Sequence, residues 1–556
     1  MNQKTKRVFA DEIFRQETLP FENIPHQSKL FLDFQSNSAT VEKFYPEKQT
    51  PPENYAKRVL ENYKIDRDAL CDVLDETNQS LEAGEMTFEN IKFLREKDCL
   101  AIVTGQQAGL FSGAIYTIYK AISAVKLAAE LRKQNIKAVP VFWIAEEDHD
   151  FDEVKKTFVL DKEGKLAEFE NTPEDYTEDF PVGAVKLDET IKETITNLIE
   201  ILPHTEFTGE IEEILTAAYQ PDETYSEAFG RFIARLFADY GLIILSPLNK
   251  KLKTLCAPIF AEAVEKSDEI NRALLERNDK LNMENYQAQV LAAADFFPFF
   301  YQEDNGERQA LKKNSQNERI KIPRSKIEFD KNELKDIAQN APQNLSPNAL
   351  MRPVIQDYLL PTLVYFGGAA EVAYFAQNSV IYQVLNRPVT PIRDRASFSI
   401  VEAKHRRTFE KYNLSLKDLF GGKEKILAEI VEKYLNRETA RIFTDVEENV
   451  NAQLNRLDEE LKNHEPTLAA NLANRKRKIN WHVGALRKKY NQAEILKNEI
   501  VARRIENLFA ALLPKNALQE RTLNVIVFLN LYGVNFIQWI YDAVETDEKN
   551  HQILYL

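Results

Sequence analysis

LAIVTGQQAGLFSGAIYTIYKAISAVKLAAELRKQNIKAVPVFWIAEEDHD, residues 100–150, decides the fold. Leu100 to Val103 is a short apolar run that leads into TGQQAGLFSG, Thr104 to Gly113. A long helix follows, because Ile115, Ile118, Ile122, Val125 and Ala129 recur at steps of three and four and so share one face. AVPVFWIA, residues 138–145, is apolar, β-rich and too short for a typical helix; it reads as a buried parallel strand. Strand, helix and strand in that order form a βαβ unit, which crosses over right-handed. The expectation is an α/β fold with a doubly wound parallel sheet.

The same pattern resumes further along. SEAFGRFIARLFADYG reads as a helix closed by Gly241, and GLIILSPLN as the next buried strand. LLPTLVYFGG is a strand candidate and AAEVAYFAQNSVIYQVLN a helix candidate. Near the start, FLDFQ and YPEKQTPPENY read as extended or turn structure and YAKRVLENYKIDRDALCDVLDETN as helix. An acidic insertion near 162–224 reads as a peripheral subdomain. A second, polar insertion near 302–347 contains DNGERQALKKN, which resembles a hairpin turn with basic flanks. From Val401 the composition turns helical. Phe443, Val446, Val450, Leu454, Leu457 and Leu461 keep steps of three and four, Pro466 interrupts, and Ile479, Val483, Leu486, Tyr490 and Ala493 repeat the pattern. Two such helices predict an antiparallel coiled-coil arm and, through it, a homodimer. The expected division is a core domain over 1–400 and a C-terminal helical coiled-coil domain over 401–556.

The bulk numbers exclude several classes. A chain of 556 residues exceeds one compact core, so two or three domains are expected. A net charge of -15 repels phosphate backbones and argues against nucleic acid as a partner. The basic run at 474–490 reads as a solvated coiled-coil flank. Cys71, Cys99 and Cys256 form no CxxC pair, so neither a zinc site nor a disulfide framework is expected; small buried hydrophobes in a reducing cytoplasm fit them. No apolar stretch follows the start MNQKTKRVFADE, and the longest apolar runs fall far short of the ~20 residues that span a bilayer. A cytoplasmic protein with no membrane partner is the expectation.

Three loops carry candidate chemistry. In the first, Thr104 to Gly113 follows a strand and opens a helix, whose N-terminal N–H groups and partial positive charge attract anions. Gly105, Gly109 and Gly113 permit close backbone approach, and Gln106 and Gln107 offer amide donors and acceptors. The spacing is neither a Walker loop nor GxGxxG. Lys120, two helical turns on, reads as a solvated or snorkelling lysine. In the second, Glu146 to Asp150 lies past the carboxyl end of a strand, the edge at which open α/β sheets bind ligands. His149, flanked by Asp148 and Asp150, is a candidate acid or base with its protonated form favoured, and Glu147 is a binding candidate. The acids are also able to hold Mg²⁺, whereas one histidine among carboxylates lacks the nitrogen and sulfur ligands of a zinc site. In the third, Gly367 and Gly368 lie between a strand and a helix, with Gln356, Asp357 and Glu371 near the same edge. Either acid is a candidate partner for a primary amine. Arg393 and Arg395 are candidate carboxylate partners, with salt bridges as the default for either alone.

IVTGQQAGLFSGAIYTIYKAISAVKLA, VPVFWIAEEDHDFDEV and RPVIQDYLLPTLVYFGGAAEVAYFAQ closely resemble the bacillithiol-biosynthesis cysteine-adding enzymes, the BshC family. LLPKNALQER and NLYGVNFIQWIYDAV resemble that family's ending, so the likeness covers nearly the whole chain in order. The resemblance implies a Rossmann-like core with connective insertions and a C-terminal coiled coil that mediates dimerisation. It implies ligation of the cysteine carboxyl group to the amine of glucosaminyl-malate, with ATP as energy source. The core implied is like that of class I aminoacyl-tRNA synthetases, yet no HIGH or KMSKS signature is present, so an adenylate and a phosphate route both stay open. Another ATP-using ligase or nucleotidylyl transferase on the same core, and a non-catalytic coiled-coil scaffold, are the rival readings. The working arrangement has the 104–113 loop holding an anion, Gln107 and His149 with Asp148 and Asp150 managing proton transfer, and Asp357 or Glu371 holding an amine.

Overall fold

A computed structural model describes residues 15–556 apart from 179, 304–305, 315–316, 318 and 324. The charged start MNQKTKRVFADE lies outside the described residues. The deciding stretch folds as read: β1 (Leu100–Gln106), α1 (Tyr116–Lys133) and β2 (Ala138–Ile144) form a parallel unit, with Leu100 opposite Ala138 and Gln106 opposite Ile144. After β2 come the single turn α2 (Phe151–Val154), the helix α3 (Tyr225–Leu236) and the strand β3 (Ile243–Leu245). Next are β4 (Phe296–Gln302), β5 (Arg308–Lys313) and β6 (Leu345–Pro347). They lead to α4 (Arg352–Leu359), β7 (Thr362–Gly367), α5 (Ala369–Val384) and β8 (Ile392–Asp394).

The central sheet has the order β8-β7-β1-β2-β3, parallel throughout. Its strands are near-continuous apolar runs because both faces are covered. Val139, Val141 and Trp143 enter one core, while Phe142 and Ile144, on the opposite face, enter another. The Rossmann-like α/β core expected from the sequence is therefore present.

α1 differs from its expected amphipathic form. Thr117 to Val125 are all buried, because α1 packs on the sheet with one face and is covered on another by the helix Phe536–Ala543. The early segments also differ. FLDFQ lies in the helix Lys29–Gln35, whose N-cap Ser28 accepts from the N–H of Phe31. The stretch from Tyr55 divides into Pro52–Asn62 and Arg67–Ser80, the second capped by Asp66.

The 162–224 segment is not peripheral. Val182, Ile191, Ile195, Leu198, Ile211 and Leu215 share one core with Ile118 and Phe142. In the second insertion β4 and β5 pair antiparallel, with Gln302 opposite Arg308, as the hairpin reading expects; Asp304 and Asn305 lie outside the described residues. β6 pairs with the other side of β4.

The C-terminal coiled coil consists of α6 (Arg437–His464) and α7 (Pro466–Leu496). They run antiparallel: Phe443 meets Tyr490 at 5.5 Å between ring centroids, Asn451 bonds Asn480 at 2.9 Å, and Arg487 pairs with Glu447 at 2.8 Å. Four expected seam residues lie off this seam, since Val446, Leu457, Ile479 and Leu486 are exposed. The chain ends in the strand His551–Tyr555, which pairs antiparallel with Arg15–Leu19 and parallel with Phe398–Val401. Among the described residues no helix is long and apolar enough to cross a membrane.

Candidate active site

β1 and β2 end side by side, and the Ala145 N–H continues their ladder to the Gln106 carbonyl at 2.8 Å. This register brings Gln107 beside the loop that follows β2. The Gln107 amide donates to Asp148 Oδ2 at 3.3 Å. The 104–113 and 146–150 loops thus meet at the carboxyl edge of the sheet, as the sequence predicted. The third loop joins them through Lys120. Its ammonium donates to the Gly105 carbonyl and to Gln106 Oε1, both at 2.9 Å, and pairs with Glu371 Oε2 at 2.5 Å. Lys120 is therefore buried, not solvated; burial pushes its amine down, opposed by Glu371.

Asp148 and His149 sit among cations that come from distant parts of the chain. Arg308 on β5 is buried, and its NH1 lies 3.1 Å from His149 Nδ1. Arg352, at the start of α4, lies 3.9 Å from Asp148 Oδ2. Asp148 Oδ1 accepts the N–H of His149 at 2.8 Å and of Asp150 at 3.4 Å. Burial alone would raise the Asp148 carboxyl, but Arg352, Arg308 and His149 outweigh it and hold the group below its usual value. Burial pushes the Arg308 guanidinium down to about 10, which leaves it a cation at neutral pH. The cluster thus holds an ionised carboxylate, an imidazole and two guanidinium groups around a strand end, a set able to bind anions and move protons. A cleft of about 740 Å³ opens beside Ala369 and Ala370 at the start of α5, with Ser28, Gln289 and Arg521 on its walls, and none of the cluster residues lines it.

Several expected site residues serve the fold instead. Thr104 Oγ1 donates to the Phe366 carbonyl at 2.9 Å and ties β1 to β7. A side chain at Gly105 would meet the Trp143 carbonyl at 2.6 Å, so this glycine permits strand contact rather than ligand approach. Gly109 and Gly113 close a tight turn in which a Cβ at Gly109 would meet Gly113 Cα at 3.0 Å, and Gly113 has φ 67°. At the start of α1, where an anion was expected, the chain itself takes one N–H group and caps two carbonyls of the turn. The Ile115 N–H donates to the Leu523 carbonyl at 2.8 Å, and Asn524 Nδ2 donates to the carbonyls of Phe111 and Gly113, both at 2.8 Å. Asp150 caps α2 by accepting the Glu153 N–H at 3.3 Å. Glu147 turns inward and forms a buried ion pair with Lys253.

The third loop needs the largest correction. Asp357 lies at the amino end of β7, the far edge of the sheet, where it accepts from the Tyr382 hydroxyl and from the Gln356 amide. Burial pushes its carboxyl up, and it borders a small recess with Tyr55, Tyr63, Thr362 and Thr390 that contains no residue of the cluster. Glu371 does reach the edge, but its oxygens accept from the Tyr365 hydroxyl, the Gly368 N–H and Lys120, which leaves it filled as an amine partner. A side chain at Gly367 would meet Glu371 Cβ at 2.8 Å, and Gly368 is the N-cap of α5. Arg393 pairs with exposed Asp547 at 3.4 Å in a separate recess beside Lys48 and Lys549. Arg395 forks onto buried Glu520 at 2.7 and 3.0 Å, an internal pair rather than a surface one.

Sequence reasoning missed Arg308, Arg352 and Lys253. Arg308 and Lys253 carry no local signal. Arg352 had one: a helix that returns to start β7 must begin at the carboxyl edge, so its first residue faces the site and Asp357, more than a turn on, does not. Among the described residues no group of three or more histidine, cysteine or acidic side chains is placed to hold a metal ion.

Residues 15–396 match the family model described as bacillithiol biosynthesis BshC, N-terminal Rossmann-like domain. Residues 398–556 match the model of the BshC C-terminal coiled-coil domain. A Koribacter versatilis protein named "Putative cysteine ligase BshC" is 33% identical over 538 residues, spanning 97% of this chain and 99% of that one. Proteins of the same name from Salinibacter ruber and Chlorobaculum tepidum are 32% and 31% identical, over 94% and 92% of this chain and 96% and 93% of theirs.

Proposed function

The chain belongs to the BshC family of bacillithiol biosynthesis, and from that premise we propose that it is a ligase joining the carboxyl group of cysteine to the amine of glucosaminyl-malate. The observation that carries this reading is the meeting of Gln107, Asp148 and His149 with Arg308 and Arg352 at one strand edge. An amide does not form from a free carboxylate and an amine in water without activation, so ATP is the co-substrate and Mg²⁺ accompanies its phosphates. In the ligation step the amine lone pair forms the C–N bond, the activated oxygen leaves with phosphate or nucleotide, and the amine gives up a proton. Negative charge grows on the carbonyl oxygen and on the leaving group, which is the charge that Arg352 and His149 are placed to stabilise. Asp148, held ionised, replaces Asp357 and Glu371 as the group that holds the amine and receives its proton.

The same reading places the protein in the cytoplasm, in keeping with three free, buried cysteines. It takes the protein as a homodimer joined through the coiled-coil arm. The test is direct: purified chain, cysteine, glucosaminyl-malate and MgATP, with the product trapped at its thiol and weighed by mass spectrometry. The amide is expected, with ATP consumed in step. His149→Ala and Gln107→Ala, each folded, should slow its formation by about 100-fold, the scale of losing one transition-state hydrogen bond. Product from a different amino acid or amino sugar points to another ligase on this core. No product and no nucleotide binding by folded protein overturns the reading in favour of a scaffold.

A further inference from the structure

Two groups compete for one nitrogen of His149. Arg308 NH1 lies 3.1 Å from Nδ1, and Asp148 Oδ1 lies 3.9 Å from the same atom. A guanidinium has N–H donors and no acceptor, so the shorter contact is a hydrogen bond only when Nδ1 is free of a proton and accepts. A carboxylate makes the opposite demand, since it accepts only, and would draw the proton to Nδ1. The distances favour the arginine. Nε2, across the ring, has no hydrogen-bond partner among the described residues, and the side chain is 37% exposed, so this nitrogen is the one a ligand meets.

We propose that Arg308 is a positioning residue that sets the His149 tautomer, keeping the ring proton on Nε2 so that the histidine presents a donor, not a base, on its exposed side. The arginine is braced for this task. Its Nε donates to Ser346 Oγ at 3.0 Å, its NH2 donates to the Pro347 carbonyl at 3.2 Å, and its guanidinium carbon lies 3.7 Å from the centre of the Phe300 ring. Lys253, paired with Glu147, donates to the Leu345 carbonyl at 2.9 Å, so all three residues of β6 are held by buried cations. The inserted antiparallel sheet therefore does more than fill space. Through β5 and β6 it decides which hydrogen-bonding face the β2 loop offers. With its proton on Nε2, His149 stabilises the oxygen on which charge develops, and taking the amine's proton falls to Asp148 or water.

The consequence for activity rests on the proposed ligation; the tautomer does not, and the experiment separates them. The full chain is labelled with ¹⁵N-histidine, and its ring signals are read at pH 8, above the ordinary imidazole pKa of about 6.5. The sequence has seven histidines, and His149→Gln identifies the signal of interest. The wild type is expected to show a bare Nδ1 and a protonated Nε2. Arg308→Met, which removes the donor at similar length, should move the proton toward Nδ1 and Asp148, and Arg308→Lys should restore the wild-type pattern in part. In the ligation assay Arg308→Met should lower kcat at least tenfold while leaving the KM for cysteine within about twofold. A wild-type ring protonated on Nδ1 overturns the proposal whether or not any variant folds, as does an unchanged tautomer in folded Arg308→Met. If the wild type makes no amide yet shows the expected tautomer, the ligase reading falls and this inference stands.

Discussion

Side-chain type was a poor guide wherever distant segments supply the neighbours. Lys120 sits on a helix flank that looks solvated in sequence, yet it closes the site from beneath because α1 is covered by chain from more than 400 residues away. His551 makes the same point with a consequence for stability. It is fully buried on the last strand, its Nδ1 2.7 Å from Ser397 Oγ and its Nε2 2.9 Å from Ser399 Oγ. Burial pushes its pKa down to about 4, outweighing the nearby Glu520 carboxylate. The unfolded chain takes up this proton near pH 6.5 and the folded chain only near 4. The unfolded state therefore binds more protons in that window, and stability falls as pH falls through it, by about 1.4 kcal/mol per pH unit per histidine. His405, pushed down to about 3 by burial, contributes in the same direction. Urea midpoints measured from pH 7 to pH 5 should drop, and folded His551→Gln should lose about half of that slope. An unaltered slope would place the pH sensitivity elsewhere.

At the scale of elements, the parallel sheet was legible because its strands are buried on both faces and so read as unbroken apolar runs. The antiparallel hairpin of β4 and β5 was legible from its turn. What was hidden is the partner of the 104–113 loop. A glycine-rich turn before a helix has free N–H and C=O groups in isolation, and nothing local says that the Leu523 carbonyl will take the Ile115 N–H or that the Asn524 amide will cap the Phe111 and Gly113 carbonyls. Asn524 is the pin of that arrangement. It is fully buried, and its amide donates to Phe111, Gly113 and Thr157 Oγ1, each at 2.8 Å, while its oxygen accepts the Ile526 N–H at 2.9 Å. Asn524→Ala strands several buried polar groups at once, each costing roughly 1–3 kcal/mol. The variant should lose about 3 kcal/mol or more by urea denaturation. Asn524→Asp should fare no better, since a carboxylate oxygen cannot donate to the two carbonyls. Because the loop carries Gln107, amide formation should fall in parallel even where the variant stays folded.

For the molecule as a whole, the coiled coil raises the question of what its apolar residues are for. The 3–4 spacing of Val446, Leu457, Ile479 and Leu486 was read as the seam between α6 and α7, but that spacing cannot say which of two neighbouring stripes faces inward. The inner seam mixes Phe443 and Tyr490 with polar pairs: Asn451 with Asn480, Lys476 with Asn455, and Arg487 forked onto Glu432 and Glu447. Hydrogen-bonded polar pairs fix antiparallel register at a cost in stability. They leave Leu457 47% exposed on α6, and on α7 Ile479 37% and Leu486 61%, the last two seven residues apart and so on one face. Large apolar side chains left outside on a long helical pair mark a surface that another helix covers. The proposed homodimer would set a second copy of this arm there, because an isologous contact lets the same stripe serve both partners. If that dimer forms, the replacement of Ile479 and Leu486 together by Glu should yield a monomer by analytical ultracentrifugation at concentrations where the wild type associates. Far-UV circular dichroism should stay unchanged, because neither residue fills the intrachain seam. The arm is a separate element from the sheet edge that carries the site, so the monomer should keep its amide-forming rate per chain. A monomeric variant that lost that rate would show that the arms organise the catalytic core as well as joining it, while a wild type that is monomeric at micromolar concentration would remove the dimer altogether.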